Sequence, residues 1–95
     1  MTGRKLGIGV LGLQEGRSLI IAVNRPNRPA HYARVGAGCD LDEEKFVLAR
    51  RDFPDVHYTT RLDEMLARED VDIVAIYTPD PLHAEHAVRA FEAGK

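Results

Sequence analysis

Apolar positions along this chain follow two alternating rhythms. Leu6 to Leu11 is a short apolar run interrupted by glycines, and it predicts a first strand. Leu19, Ile20 and Val23 recur at helical spacing and predict a helix from about Gly16 into Val23. Asn24-Arg25-Pro26-Asn27-Arg28-Pro29 packs two prolines and two asparagines into six residues, which reads as a loop. From His31 to Asp40, Val35, Ala37 and Cys39 alternate with Gly36 and Gly38, as on a strand closely approached by its neighbours. Phe46, Ala49 and Phe53 mark the buried side of a second helix, Glu43 to Asp52, which Pro54 stops. Val56 to Thr59 predicts a short third strand, and Thr60 a cap for a helix through Leu62, Met65 and Leu66. Ile73 to Tyr77 is continuously apolar, as in a strand buried on both faces of a parallel sheet. After it, Asp80 is expected to cap a last helix with Pro81 as its first residue. That helix is expected to turn Leu82, Ala87, Ala90 and Phe91 to the core and to end on Gly94.

The order β-α-β-α-β-α-β-α implies an α/β domain, a parallel sheet with helices on both faces. Right-handed crossovers then give the strand order 3-2-1-4. The switch point lies at the carboxyl ends of strands 1 and 4. It is expected to gather Gly12 to Arg17, Asp40, and Thr78 to His83.

The glycines between the first strand and the first helix carry the candidate chemistry. A literal G-x-G-x-x-G falls on Gly7, Gly9 and Gly12, but that register leaves no room for a buried strand before it. The register that follows a strand begins at Gly12 and reads Gly12-Leu13-Gln14-Glu15-Gly16-Arg17. In this fingerprint the glycines serve a tight turn, a close approach to a dinucleotide pyrophosphate, and close helix–strand packing. Gly12 serves the first, Gln14 stands at the second and Arg17 at the third, with Gly16 one place early. Asp40 ends the second strand 28 residues beyond Gly12. The fingerprint places a ribose-binding acid about 20 residues on, and the Pro-rich loop absorbs the difference. An acid there favours NAD over NADP, whose 2′-phosphate it would repel. Asp40-Leu41-Asp42-Glu43 also resembles a capping box; Asp40 is read as the ribose contact and Asp42 as the cap.

The 95 residues suit one domain, and 44% apolar content suffices for a core. A net charge of −2 gives no general pull toward nucleic acid or anionic membrane. No apolar run is long enough to span a bilayer, and Met1 to Lys5 leads straight into the first strand with no signal peptide. The single Cys39 has no internal disulfide partner and reads as a buried small residue in a reducing, cytoplasmic compartment. His83-Ala84-Glu85-His86 puts two histidines on one helix face, but the spacing is not H-E-x-x-H and no third metal ligand is evident. Ser18 reads as a first-turn helix residue, and Tyr32, Tyr58 and Tyr77 as strand residues. Arg25, Arg28, Arg50 and Arg51 read as solvated charge.

These motifs together resemble the amino-terminal domain of the glucose–fructose oxidoreductase / inositol dehydrogenase (Gfo/Idh/MocA) family. The resemblance covers nearly the whole chain. It is carried by Gly7-Ile8-Gly9-Val10-Leu11-Gly12, Cys39-Asp40-Leu41-Asp42, Asp72-Ile73-Val74-Ala75-Ile76-Tyr77-Thr78-Pro79, and His83 with Ala90-Phe91-Glu92-Ala93-Gly94-Lys95. Thr-Pro-x-x-x-His, from Thr78 to His83, is its most specific part. The resemblance implies a Rossmann-type sheet, a nicotinamide cofactor and, in complete members, hydride transfer on sugars, polyols or related substrates. It places Gly12 to Arg17 at the pyrophosphate, Asp40 at the adenosine ribose, and Thr78, Pro79 and Asp80 near the nicotinamide half.

Three departures stand out. Gln14 replaces the family's second glycine, and Asp80 stands where the family usually has Asn. The sequence stops at Lys95, where the family continues into a strand carrying a Glu-Lys-Pro motif and then a substrate domain. Lys95 belongs to the Ala-Gly-Lys helix end and is not the catalytic lysine. The chain is therefore expected to be one domain, residues 1–95, that binds NAD without turnover of its own. The competing reading is a scaffold module with a degenerate cofactor site, in which Gln14 folds across the phosphate position. Without a further parallel neighbour, the strand Ile73 to Tyr77 leaves an apolar edge, and association into a homo-oligomer through that edge is expected.

Overall fold

A computed structural model describes residues 5–27 and 31–95. Arg28 and Pro29 of the expected loop lie outside the described residues. The elements run β1 (Leu6–Leu11), α1 (Leu13–Val23), β2 (Ala33–Cys39), α2 (Lys45–Asp52), β3 (His57–Thr59), α3 (Leu62–Leu66), β4 (Ile73–Ile76), a 3₁₀ turn (Asp80–Leu82) and α4 (His83–Glu92). The four strands form one parallel sheet in the order β3-β2-β1-β4, as the alternation of elements implied.

Each face of the sheet carries its own apolar cluster. One joins Ile8, Val10 and Val35 of the strands to Leu13 and Ile20 of α1 and Phe46 and Ala49 of α2. The other joins Leu11, Ala37 and Cys39 to Met65 of α3 and to Val71. Burying each of the larger aliphatic side chains contributes about 2 kcal/mol. Tyr58 closes the first cluster; its hydroxyl donates to the Phe53 carbonyl at 2.9 Å, and the Arg50 guanidinium covers both the Phe46 and Tyr58 rings.

Period-2 alternation would put Val35, Ala37 and Cys39 on one face. They do not share one. The β1–β2 register slips after Ile8↔Val35, so that Gly9 pairs with Ala37 and Gly36 is left over. One extra residue reverses the parity of everything after it. Val35 therefore joins the α1/α2 face, and Ala37 and Cys39 the α3 face. Asn24 meets the backbone that this slip leaves over. Its side-chain amide donates to the Val35 carbonyl and accepts from the Val35 N–H, both at 2.9 Å.

Other boundaries differ from expectation for local reasons. The first helix begins at Leu13, three residues before Gly16, because Gly12 ends the strand and its carbonyl already accepts from the Gly16 N–H at 3.1 Å. The second begins at Lys45 rather than Glu43; Asp42 heads the turn before it, accepting from the Glu44 N–H at 3.0 Å. Thr59, not Thr60, serves the start of α3, its hydroxyl accepting from the Arg61 N–H at 3.1 Å. Asp80 does not cap α4: it opens the 3₁₀ turn after Pro79, and its side chain is 98% exposed. β4 is not buried on both faces. Among the described residues it is an edge strand, paired only with β1, and Ile73 is 42% exposed. On α4 only Ala90 is buried; Leu82 is exposed and Phe91 is 73% exposed. Gly94, at φ +79°, ends α4 as expected, with Gly94 N–H bonded to the Phe91 carbonyl and Lys95 N–H to that of Ala90.

Candidate functional site

The carboxyl ends of the strands are tied to one another in sequence order. Gly12 N–H donates to the Cys39 carbonyl at 2.8 Å, Tyr77 N–H to that of Leu11 at 2.7 Å, and Asp40 N–H to that of Thr59 at 3.2 Å. Gly12 itself stands at φ +94°, where a side chain is strained. A Cβ there would also lie 2.8 Å from the Tyr77 carbonyl carbon. The chain thus turns sharply off β1 and hard against the end of β4. The first turn of α1 begins at once, and its N–H groups have no intrahelical acceptor.

Gly16 takes the packing role that the fingerprint gives to its last glycine. A Cβ on Gly16 would approach Val10 Cγ1 to 2.4 Å and the Tyr77 ring to 3.1 Å. Because the helix starts at Leu13, its fourth residue, not its fifth, faces the sheet. Arg17 lies instead in a separate shallow groove with Gln14 and Lys45.

Asp40 couples the end of β2 to the start of α1. One carboxylate oxygen accepts from the Leu13 N–H at 2.8 Å, and the other from the Asp42 N–H at 2.9 Å. Residues 27 positions apart in sequence are thereby joined at the mouth of the site. Gln14 is drawn the other way: its side-chain oxygen accepts from Lys45 Nζ on α2 at 2.5 Å.

Behind these groups opens a cleft of about 580 Å³. Of the residues singled out in the sequence, Gly12, Gln14, Asp40, Thr78 and Pro79 line it. Leu13 is buried in the α1/α2 cluster, Gly16 is packed against β1, and Glu15, Arg17, Asp80 and His83 lie outside the cleft walls. His83 is nonetheless connected: its Nε2 is hydrogen-bonded to the Thr78 carbonyl, and its Nδ1 lies 3.8 Å from the Asp80 carboxylate. His86 Nδ1 is hydrogen-bonded to the Thr78 hydroxyl at 2.8 Å. Two histidines of one helix thus hold Thr78 by its backbone and its side chain.

The cleft also uses residues that carry no fingerprint. Leu41 follows Asp40, Thr60 and Leu62 come from the end of β3 and the start of α3, Leu82 ends the 3₁₀ turn, and Glu85, His86 and Arg89 come from α4. The last four are spaced i, i+3, i+4, i+7, which is one helical face. Of the inward set expected from the sequence, Leu82 lines this cleft and Ala90 is buried, while Ala87 and Phe91 border the separate groove beside β4. The His83/His86 spacing is the one signal that points to this face. Cys39 forms part of the cleft floor; burial and then the adjacent Asp40 push its thiol up to about 11, with Arg89 opposing them. It stays a protonated small residue at neutral pH. Among the described residues no group of three His, Cys, Asp or Glu side chains converges as a metal site.

A turn that only glycine fits, a helix start beside it and an acid at the next strand end form the geometry of a dinucleotide cradle. The model of the oxidoreductase family with an NAD-binding Rossmann fold, Gfo/Idh/MocA, matches residues 6–95. The chain belongs to this family. Among Gfo/Idh/MocA relatives, glucose-fructose oxidoreductase domain-containing protein 1 of Mus musculus is 35% identical over 89 residues, covering 94% of this chain and 22% of that protein. The apo scyllo-inositol dehydrogenase of Lactobacillus casei shares the fold at a TM-score of 0.84 and 23% identity, covering 100% of this chain and 28% of that one. The WlbA dehydrogenase of Bordetella pertussis, solved with NADH and UDP-GlcNAcA, superposes at a TM-score of 0.83 and 25% identity, over 100% of this chain and 27% of that one. The chain therefore spans about a quarter of the length of these relatives. Within the family it corresponds to the NAD-binding domain. No helix among the described residues is long and apolar enough to cross a membrane.

Proposed function

We propose that residues 1–95 form one domain that binds NAD, in preference to NADP, as the cofactor half of an oxidoreductase acting on sugars, polyols or related compounds. The observation that carries this reading is the meeting of Gly12, the α1 start and Asp40 at the rim of an open cleft. In this reading the first-turn N–H groups of Gln14 and Glu15 receive the pyrophosphate, with Gly12, Leu13, Gly16 and Arg17 shaping or flanking that turn. Asp40 receives the adenosine ribose, and its charge disfavours a 2′-phosphate. Thr78 and Pro79, braced by His83 and followed by Asp80, border the nicotinamide half. The bound cofactor supplies the hydride chemistry; the chain's own residues bind and orient. The substrate and its acid–base groups fall to the parts of the relatives that these residues do not span, so binding without turnover is expected of this chain alone. A buried, protonated thiol suits a reducing cytoplasmic setting.

The scaffold reading requires a cleft filled by its own side chains. The open volume, and the hydrogen bond that ties Gln14 to Lys45, favour the cofactor instead. Titration calorimetry with NADH and NADPH tests this. NADH is expected to bind more tightly, and Gln14→Gly to tighten it further by relieving the approach. Absence of heat and of a fluorescence change at millimolar NADH would overturn the proposal.

Association through β4 is part of the same reading. Its free edge adjoins a shallow apolar groove formed with Ala87 and Phe91 of α4. Sedimentation at rising concentration is expected to show dimers; a strictly monomeric profile would remove that element.

A further inference from the structure

Part of the cleft wall, to which Leu41, Leu62 and Arg89 contribute, has no part in the fingerprint. Three features there ask for a ligand group of one kind. The first is apolar surface held in water: Leu41, immediately after Asp40, is 89% exposed yet lines the cleft, and Leu62 forms another apolar part of the wall. The second is Arg89, the one arginine or lysine among the residues lining this cleft. The third is that its guanidinium makes no hydrogen bond or ion pair among the described residues, although Glu85 stands on the same helical face. Arg89 rises from the last turn of α4 and lies near enough to Cys39, on the cleft floor, for its charge to oppose the rise in that thiol's pKa. A guanidinium without a partner among the described residues, lining the same cleft as two leucines, suits a flat, uncharged, aromatic group. The planar cation stacks on a π face while aliphatic side chains cover the rest.

The geometry points to Arg89 as the residue that receives the adenine ring of the bound dinucleotide, stacking on it between α4 and the Leu41/Leu62 wall. This rests on the cofactor reading above, since Asp40 at the ribose is what sets the base beside the neighbouring Leu41. Arg89 is here a positioning residue: it fixes the adenosine half and so the register of the whole dinucleotide along the cleft.

The test uses the full 95-residue chain, its Arg89→Ala and Arg89→Lys variants, and four probes: NADH, adenosine 5′-monophosphate, adenosine and nicotinamide mononucleotide. Arg89→Ala is expected to weaken NADH, adenosine monophosphate and adenosine alike by about 5-fold. Nicotinamide mononucleotide should be unaffected. Arg89→Lys is expected to recover part of the loss, because the charge returns without the planar fork. The side chain is exposed, and unchanged thermal midpoints would show that the fold is intact. Equal NADH affinity in wild type and Arg89→Ala would overturn the assignment while leaving the cofactor reading standing. A loss confined to the phosphate-bearing probes would overturn it too, by making Arg89 a phosphate partner. Failure of the wild type to bind NADH at all would bring down both.

Discussion

The two faces of the sheet are built from the same four strands but closed to different degrees. On the α1/α2 face, β1 presents Ile8 and Val10, and two helices cover them with Leu13, Ile20, Phe46 and Ala49. On the other face β1 presents Gly7, Gly9 and Leu11, and α3 contributes Met65 over little more than one turn. A Cβ on Gly7 would lie 1.6 Å from the Asp70 carbonyl oxygen, so the glycines let the α3–β4 turn lie against the strand. Further toward the strand ends this face opens into the cleft between α3 and α4. One face contributes most of the packing. The other trades packing for an opening, and the candidate binding groups stand along it.

Four experiments would break or sharpen that contrast. Gly7→Ala drives a methyl into backbone that cannot give way, and a loss of about 4 kcal/mol is expected. Against a total of about 5–15 kcal/mol for a small domain, urea unfolding should then start near zero denaturant. Ile20→Ala, on the closed face, should cost about 3 kcal/mol with no change in NADH affinity beyond that of the folded fraction. Leu62→Ala, on the open face, should do the reverse: about 1 kcal/mol of stability and a several-fold weaker NADH, read by urea midpoints and calorimetry. Equal stability losses at Ile20 and Leu62 would contradict the difference in closure.

The third concerns pH. Burial, reinforced by Asp40, raises Cys39 from 9.0 to about 11. The unfolded chain therefore loses this proton near pH 9 while the folded chain keeps it, so stability is complete below pH 9 and falls as pH rises toward 11. Burial raises Tyr58 likewise, from 10.0 to about 12, and adds a second loss above pH 10. Urea midpoints between pH 8 and pH 10 should fall in the wild type and fall less in Cys39→Ala. The smallest effect is expected from Phe91→Ser. The ring is mostly in solvent, so stability should move by no more than about 0.5 kcal/mol, while any self-association through β4 should weaken.

The order of the elements was legible because each apolar run is bounded by turn-forming residues, and alternation of strand and helix leaves few topologies. Gly12 and Asp40 were legible as a pair because their spacing follows from one β-α-β unit. The residues beyond that unit were not. Leu62 comes to the cleft from α3 and His86 and Arg89 from α4, and no local period records the meeting of the two helices. β4 reads as fully buried because its apolar run is continuous, yet coverage depends on neighbours a strand does not encode. Gly36 was misread because a glycine in alternation looks the same whether it occupies a face or is the leftover residue of a slip.

That leftover residue decides which way the second strand delivers its last side chains. Were Gly36 instead to pair with Gly9 in regular alternation, with no residue left over, Cys39 would turn toward Ile20 and Phe46, carrying the following carboxylate away from the first N–H of α1. The span of a strand, counted as odd or even, is then as consequential for recognition as the identity of the acid at its tip.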